Sequence, residues 1–308
     1  MSTRLYSHAI SLEHITPTGH PERPDRIRTL NEVFERPEFS SLEHITPDMA
    51  DPSWFELAHP KSHLATIRSN IPETGLSVVD ADTVASPKSW DVVRHVAGAC
   101  LEAVDGVFEK ACSNAFIAMR PPGHHAEKTT SMGFCLINQI AITARYAQEK
   151  YEAERVAIVD FDVHHGNGTQ DIFYDDESVL FASTHQMPLY PGSGALSETG
   201  AGNIFNAPLS EGDDGSKFKT AFRERILPAV ENFDPDLLLI SAGFDAHHRD
   251  PLAGLNLVAD DFDWATGKLL EIADQACEGR VVSILEGGYD LQGLAESASA
   301  HVNRLMDT

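Results

Sequence analysis

The stretch "RVAIVDFDVHHGNGTQ", residues 155–170, joins a continuous apolar run to a cluster of aspartates, histidines and glycines. The apolar half lacks polar alternation, which is typical of a strand in a parallel sheet that is covered on both faces. The same pattern occurs in "NAFIAMR" (114–120), "SVLFAST" (178–184), "DLLLISAG" (236–243) and "RVVSILEG" (280–287). Helix-like stretches separate these runs, at 89–111, 137–151 and 215–233. We therefore predict an α/β fold, a single domain over residues 1–308 with one open parallel sheet and helices on both faces.

Polar clusters follow all five predicted strands at their carboxyl ends. In chain order they are "PPGHH", "DVHHGNG", "THQ", "FDAHH" and "GGYD". Ligands of open α/β sheets bind outside the carboxyl ends of the strands, so these clusters are expected to converge in one crevice. We predict that this crevice is the active site.

Composition limits the classes of function. The 308 residues carry a formal net charge of −24, which disfavours direct binding to nucleic acid but leaves cationic substrates open. No apolar run is long enough for a membrane span, and the N-terminal residues contain no apolar signal segment. Four cysteines without C-x-x-C spacing suit a reducing compartment. These features predict a cytoplasmic protein without a membrane or nucleic-acid partner, and they admit a homo-oligomer.

The D-x-H pattern of Asp162 and His164 suggests a metal site. Alternate residues at a strand end point the same way, so this pair can offer a carboxylate oxygen and an imidazole nitrogen to one ion. Asp245 of "SAGFDAHH" adds a second carboxylate, and three ligands leave a coordination position open, as a catalytic zinc site requires. Asp160 has the same parity and can orient a histidine, whereas His165 has the opposite parity and is expected to be structural.

Other polar residues complete a hydrolytic set. His124 and His125 of "RPPGHHA" suit general acid–base chemistry, because imidazole titrates near neutrality. The phenol of Tyr289, beside two glycines in "LEGGYD", can donate a hydrogen bond to a developing oxyanion. Together these groups suit metal-assisted attack of water on an amide carbonyl, without a Ser or Cys nucleophile. Cys135 has no convincing partner base, so we assign it a packing role.

The ordered motifs "GHPERPDR", "RPPGHHA", "GFC", "DFDVHHGNGT", "YPGSG", "SAGFDAH" and "EGGYD" resemble those of the histone deacetylase superfamily, and more its class II branch than its class I branch. The resemblance covers nearly the whole chain. It implies Asp162, His164 and Asp245 as zinc ligands, His124 and His125 as the tandem acid–base pair, and Tyr289 as the carbonyl-polarising phenol. Asp160 would orient His124. Asn167 would support His125 where class I members carry an aspartate.

The resemblance also implies potassium and a substrate tunnel. One potassium ion would be bound by main-chain oxygens of Asp160, Asp162, His164 and Thr184 and by side-chain oxygens of Asp160 and Ser183. A second cation would lie near Phe173. Gly133 and Phe134 would form one wall of an acyl-lysine tunnel, with Tyr190 opposite, and Leu252 would bear on the choice of substrate. Some polyamine-selective relatives place an acidic residue where this chain has Leu252, so the leucine favours acyl-lysine.

The leading prediction is a zinc-dependent deacetylase that hydrolyses N-acyl-lysine side chains. The alternative substrate is an acetylpolyamine or another small acylated amine, which the charge of −24 favours. A ureohydrolase such as arginase would share the α/β architecture but needs two manganese ions. A binding module for acylated ligands would be catalytically silent, although every expected catalytic residue is present.

Overall fold

An eight-stranded sheet lies at the centre of this computed structural model, which describes residues 2–307. The strands in chain order are β1 (Thr3–Tyr6), β2 (Glu43–Ile45), β3 (Ser77–Val78), β4 (Val84–Ala85), β5 (Asn114–Ile117), β6 (Val156–Asp160), β7 (Val179–Gln186), β8 (Ile204–Leu209), β9 (Leu237–Ala242) and β10 (Val281–Leu285). The sheet order is β2-β1-β5-β10-β9-β6-β7-β8, and every neighbouring pair is parallel. Strands β3 and β4 form a separate antiparallel pair. The open parallel sheet predicted from the sequence is confirmed.

Helices connect these strands. They are α1 (Asp25–Phe34), α2 (Lys61–Ser69), α3 (Ser89–Phe108), α4 (Gln139–Tyr151), α5 (Asn167–Phe173), α6 (Gly215–Ala221), α7 (Leu227–Phe233), α8 (Ala259–Ala276) and α9 (Leu291–Met306). Short 3-10 helices cover Ala9–Leu12, Pro37–Phe39 and Pro52–Leu57. The single helix predicted over 215–233 is instead α6, a π-helical segment at Phe222–Ile226 and α7. None of the helices within residues 2–307 is both long and apolar enough to cross a bilayer.

Strand β6 shows how the sheet becomes buried on both faces. Val156 and Ile158 belong to one hydrophobic cluster with residues of α3 and α4, whereas Ala157 and Val159 belong to another with residues of α8 and α9. Side chains alternate between the faces of a strand, so a run buried on both sides must be apolar at every position. This confirms that helices cover both faces.

Three strands of the eight-stranded sheet are not revealed by sequence patterns, and each lies at an edge of the sheet or next to an edge strand. Strand β2 is the three-residue "EHI", and β8 contains Asn206 and Pro208. In β1, the charged Arg4 precedes the apolar Leu5, and its side chain donates a hydrogen bond to Glu43 of β2. Such positions tolerate polar residues and proline, so their strands lack a continuous apolar run.

Several helices begin directly beside the carboxyl ends of the strands. Asp290 follows Tyr289 and caps α9 by accepting a 2.8 Å hydrogen bond from the amide of Gly293. Asn167 is the first residue of α5, and Asn138 caps α4 through the amide of Ala141. These caps satisfy helix amides that otherwise lack partners. They also fix the loops that carry the polar clusters.

Candidate active site

The five polar clusters predicted from the sequence lie at one edge of the sheet. They follow β5, β6, β7, β9 and β10, which are neighbours in the order β5-β10-β9-β6-β7. Parallel strands place their carboxyl ends at the same edge, so residues far apart in the chain meet there. The polar side chains of all five clusters therefore lie along this edge.

Asp162, His164 and Asp245, here called the triad, form the deepest part of the site. One ligand atom from each lies within 4.8 Å of the others, and all three residues are buried. His164 Nδ1 is 3.2 Å from Asp162 Oδ1 and 3.1 Å from Asp245 Oδ2. The three residues predicted as metal ligands are therefore adjacent in space.

Main-chain amides hold the triad carboxylates in place. The amide of Gly287 donates a 2.8 Å hydrogen bond to Asp162 Oδ2, and that of Val163 donates at 2.9 Å to Asp245 Oδ1. Position 287 must be glycine, since a Cβ there would lie 2.1 Å from Asp245 Oδ2. This close approach explains the glycine after Glu286 in "EGGYD".

The donor set of the triad fits a divalent cation such as zinc. Burial disfavours protonation of His164, but its bonds to Asp162 and Asp245 outweigh burial and raise its pKa to about 10. Burial and the neighbouring Asp162 raise the pKa of Asp245. Two buried carboxylates around one imidazole thus attract positive charge, and two oxygens with one nitrogen suit zinc with an open position.

The tandem histidines lie beside the triad with their rings 4.0 Å apart between centroids. His124 Nδ1 donates to Asp160 Oδ2 at 2.9 Å, whereas His125 Nδ1 donates to Asn167 Oδ1 at 2.8 Å. Both partners are those predicted from the sequence. Each bond leaves the Nε2 nitrogen of its ring as the one available for chemistry.

The two histidines differ in their electrostatics. Burial opposes the charge on His124, but Asp162, Asp160 and Glu286 outweigh burial and raise its pKa well above the ordinary value. Burial lowers the pKa of His125 well below its ordinary value, and the neighbouring His124 and His164 lower it further. The surroundings of His124 therefore favour the charged ring, and those of His125 favour the neutral ring.

Tyr289 faces the same region and is 7% exposed. Burial raises the pKa of its phenol well above the ordinary value, so the hydroxyl keeps its proton. The amide of Tyr289 donates a 2.6 Å hydrogen bond to Asp250, and the Arg26 guanidinium lies 4.9 Å from the ring centroid. Arg26 also donates at 2.7 Å to the carbonyl of Gly288.

A cavity of about 220 Å³ opens above these groups. The predicted tunnel residues all line it, and the complete lining is Asp82, His125, Gly133, Phe134, His164, Leu189, Tyr190, Leu252 and Tyr289. Gly133 has φ +58°, and a Cβ there would lie 2.4 Å from the His125 ring, so only glycine fits. A larger surface groove of about 570 Å³, lined by Phe205 and Arg225, lies away from the triad.

Sequence motifs missed several residues that hold the site together. Glu286 accepts hydrogen bonds from the amides of Gly123 and His124 at 2.7 and 3.1 Å, and burial raises its pKa to about 7. Asp82 Oδ1 accepts from the amide of Gly133 at 3.0 Å. Glu286 and Arg26 lie in quoted motifs, whereas Asp82 lies in none of them. Their roles depend on contacts with residues up to 262 positions away, which short patterns do not reveal.

His165 and Cys135, which we expect to be structural, have partners other than the triad. His165 contacts Ser193 Oγ and Gln170 Oε1 at 2.8 and 3.1 Å, as expected from its opposite direction. Burial raises the pKa of the Cys135 thiol well above its ordinary value, which agrees with packing and not with a nucleophile. Of the residues that the resemblance implies for potassium, Ser183 has its Oγ 2.9 Å from His185 Nδ1, and Thr184 Oγ1 is buried.

Comparisons with known proteins give a family. Residues 20–305 match the family described as "Histone deacetylase domain". A protein of Archaeoglobus fulgidus named "Probable deacetylase" is 36% identical over 95% of this chain and 83% of its own length. "Histone deacetylase 10, chloroplastic" of Oryza sativa is also 36% identical, over 96% of this chain and 71% of its own length. A crystal structure of the HDA15 HD domain superposes with a TM-score of 0.94 at 34% identity, covering 99% of this chain and 88% of that one.

Proposed function

The chain belongs to the histone deacetylase family, and we propose that it is a zinc-dependent hydrolase that removes acetyl groups from N-acyl-lysine side chains. The observation that carries the proposal is the cavity above the triad, lined by His125, His164 and Tyr289. It brings together cation ligands, a neutral imidazole and a protonated phenol. An amide entering this cavity would meet all the groups that its hydrolysis requires.

Asp162, His164 and Asp245 would hold zinc. When bound, zinc supplies Lewis acidity toward an amide carbonyl and lowers the pKa of water. The triad carboxylates are oriented by the amides of Gly287 and Val163, so their oxygens remain in place while the ion is exchanged.

His125 would move the proton during the reaction. Its Nδ1–H is engaged by Asn167, its low pKa keeps Nε2 unprotonated, and it lines the cavity. Nε2 can therefore accept a proton from the attacking water and return it to the leaving amine. His124, held positive by carboxylates, would stabilise the negative charge that develops nearby.

Tyr289 would stabilise the carbonyl oxygen. Its phenol keeps its proton at neutral pH, so it can donate a hydrogen bond as negative charge develops on that oxygen. Phe134, whose ring centroid lies 5.8 Å from that of Tyr289, and Tyr190 would flank the acyl-lysine chain with aromatic surfaces.

For potassium we propose one site, at Asp160, Asp162, His164, Ser183 and Thr184. Support comes from the burial of Asp160 and Ser183, whose side-chain oxygens are among the predicted ligands. The predicted second cation near Phe173 stays a prediction. The carbonyl oxygens of Phe173, Asp176 and Val179 lie 2.8, 3.0 and 2.8 Å from Asn203 Nδ2. The two hydrogens of this amide group can serve two of the three oxygens at a time, and each carbonyl has a second lone pair.

The nature of the amine is the main open choice. Leu252 lines the cavity and offers no charge to a second ammonium group, which supports acyl-lysine. Asp82, a carboxylate in the same cavity, and the net charge of −24 favour the alternative, an acetylpolyamine or another small acylated amine. The match over residues 20–305 favours either over a ureohydrolase. Cytoplasmic location and a homo-oligomer stay predictions.

A turnover panel tests the proposal. The zinc-loaded protein with potassium present is assayed on acetyl-lysine peptides, acetylputrescine and acetylspermidine. We expect faster turnover of the peptides, and a Tyr289→Phe variant that loses about 100-fold or more in kcat. Equal or faster polyamine turnover would favour the alternative. Binding of acylated ligands without turnover, equal in wild type and in the Tyr289→Phe variant, would instead indicate a binding module without catalysis.

A further inference from the structure

Glu127 lies behind Asn167, on the side away from His125. Asn167 Oδ1 accepts the hydrogen of His125 Nδ1 at 2.8 Å, and Asn167 Nδ2 donates to Glu127 Oε1, also at 2.8 Å. Nδ2 also lies 3.3 Å from the sulfur of Met132. A continuous chain of hydrogen bonds thus runs from a partly buried carboxylate to the ring that lines the cavity.

The carboxylate decides which end of the amide faces His125. The oxygen and nitrogen ends of an asparagine side chain have nearly the same shape, so packing alone does not distinguish them. An ionised carboxylate can only accept hydrogen bonds, and it therefore requires the NH2 end of Asn167. The oxygen end must then face His125 Nδ1.

The amide orientation in turn sets the tautomer of His125. With the oxygen toward Nδ1, the ring proton is on Nδ1 and Nε2 is free to accept a proton in the cavity. If the amide turned over, its NH2 group would face Nδ1, the neutral ring would carry its proton on Nε2, and that nitrogen could no longer act as a base. One carboxylate outside the cavity therefore controls which nitrogen can react.

We propose that Glu127 is a positioning residue that, through Asn167, keeps His125 in the tautomer with an unprotonated Nε2. The inference rests on the proposed function, because it concerns the base of that reaction. Glu127 itself does not line the cavity and touches no triad residue among its hydrogen bonds. It acts only through the amide.

The position of Glu127 makes it suitable for substitution. Its amide and carbonyl close a turn with Thr130, and its side chain borders a surface cavity of about 480 Å³. Asp171 borders the same cavity, but its carboxylate accepts from the amide of Lys128. Asp171 is therefore a matched control, since it offers a nearby negative charge without a bond to Asn167.

The kinetic test compares Glu127→Met, Glu127→Gln and Asp171→Asn in the zinc-loaded protein. Methionine matches the length of Glu127 but removes the acceptor, so we expect kcat to fall about tenfold with KM within about twofold. Glutamine can still accept through its own carbonyl oxygen and should restore part of the loss. Asp171→Asn should leave both constants unchanged. In an Asn167→Ala background, Glu127→Met should cause no additional loss.

A turnover-independent readout completes the test. In protein with ¹⁵N-labelled histidine, the NMR signal of His125, identified by its loss in a His125→Gln variant, should report the Nδ1–H tautomer in wild type and in Asp171→Asn. In Glu127→Met, a population with Nε2–H should appear. Wild-type protein without turnover on any acylated amine would contradict the proposed function. Active wild type with an unchanged tautomer and kcat in Glu127→Met would overturn the role of Glu127 alone.

Discussion

Two sets of buried histidines in this protein have opposite electrostatic properties. At the carboxyl edge of the sheet, His124 and His164 contact carboxylates and their pKa values are raised. On one face of the sheet, His301 packs against phenylalanine rings and has the hydroxyls of Thr266 and Ser283 as hydrogen-bond partners, at 2.6 and 2.8 Å. Burial lowers its pKa to about 3. All three histidines are buried, so their partners decide the direction in which the pKa shifts.

His164 and His165 make the same contrast between adjacent residues. His164 lies between Asp162 and Asp245, whereas His165 contacts a serine and a glutamine, and burial with the neighbouring His185 lowers its pKa to about 3. The "HH" pair therefore does not share one role. The first histidine is suited to bind a cation, and the second holds the loop that carries Ser193.

The largest expected effect comes from exchanging each member of this pair for glutamine. His164→Gln should lose zinc and more than about 100-fold in turnover, since even the partners of metal ligands cost about 10- to 100-fold. His165→Gln should keep its zinc. Metal content after dialysis measures zinc retention in both variants, and assays at saturating zinc measure their turnover. Zinc loss in His165→Gln alone would reverse the assignment.

A second substitution would make His124 more like His301. In Asp160→Asn, the partner of His124 Nδ1 becomes a neutral amide, so the positive charge on the ring loses support. We expect kcat to fall by about 10- to 100-fold, measured with excess zinc and fixed potassium. A kcat equal to wild type would show that the carboxylate partner is unimportant.

Protonation of His301 should contribute to the pH dependence of stability. His301 has a folded pKa of about 3, below its unfolded value, so its contribution is complete above about pH 6.5 and is lost as pH falls toward 3. In His301→Asn, the slope of the unfolding free energy between about pH 5 and 6 should decrease by about 1.4 kcal/mol per pH unit. Urea unfolding at several pH values measures it. An unchanged slope would mean that His301 is accessible to protons.

The smallest expected effect concerns the hydroxyl that contacts His165. Ser193→Ala removes the 2.8 Å contact with Nδ1 and should cost about 1 kcal/mol of stability. Because Ser193 does not line the cavity, kcat should stay within about twofold of wild type. Denaturant unfolding and steady-state kinetics provide the measurements. A large loss of kcat with unchanged stability would place this loop in the reaction.

The sequence predicted the strands of the sheet well where both faces of a strand are buried, because such a strand must be apolar at every position. Strands β5, β6, β7, β9 and β10 are buried on both faces, so each is a continuous apolar run. The edge strand β2 has no such constraint and was missed. The D-x-H reasoning identified adjacent groups, although β6 ends at Asp160 and Asp162 and His164 lie in the loop beyond it. In this loop the amide of Asp162 donates to the Asp160 carboxylate, and the amide of His164 donates to the Asp162 carboxylate. These hydrogen bonds, and not strand alternation, set the direction of the side chains.

By itself the sequence determined the fold class, the clusters at the strand ends and the types of group available for chemistry, because short patterns reflect local burial and local bonding. The tertiary structure alone decided which clusters meet. It placed Glu286 against the amides of Gly123 and His124, Asp250 against Tyr289, and Glu127 behind Asn167. The charge and tautomer of a buried histidine depend on partners that are distant in the chain, and only folding brings those partners within hydrogen-bond distance.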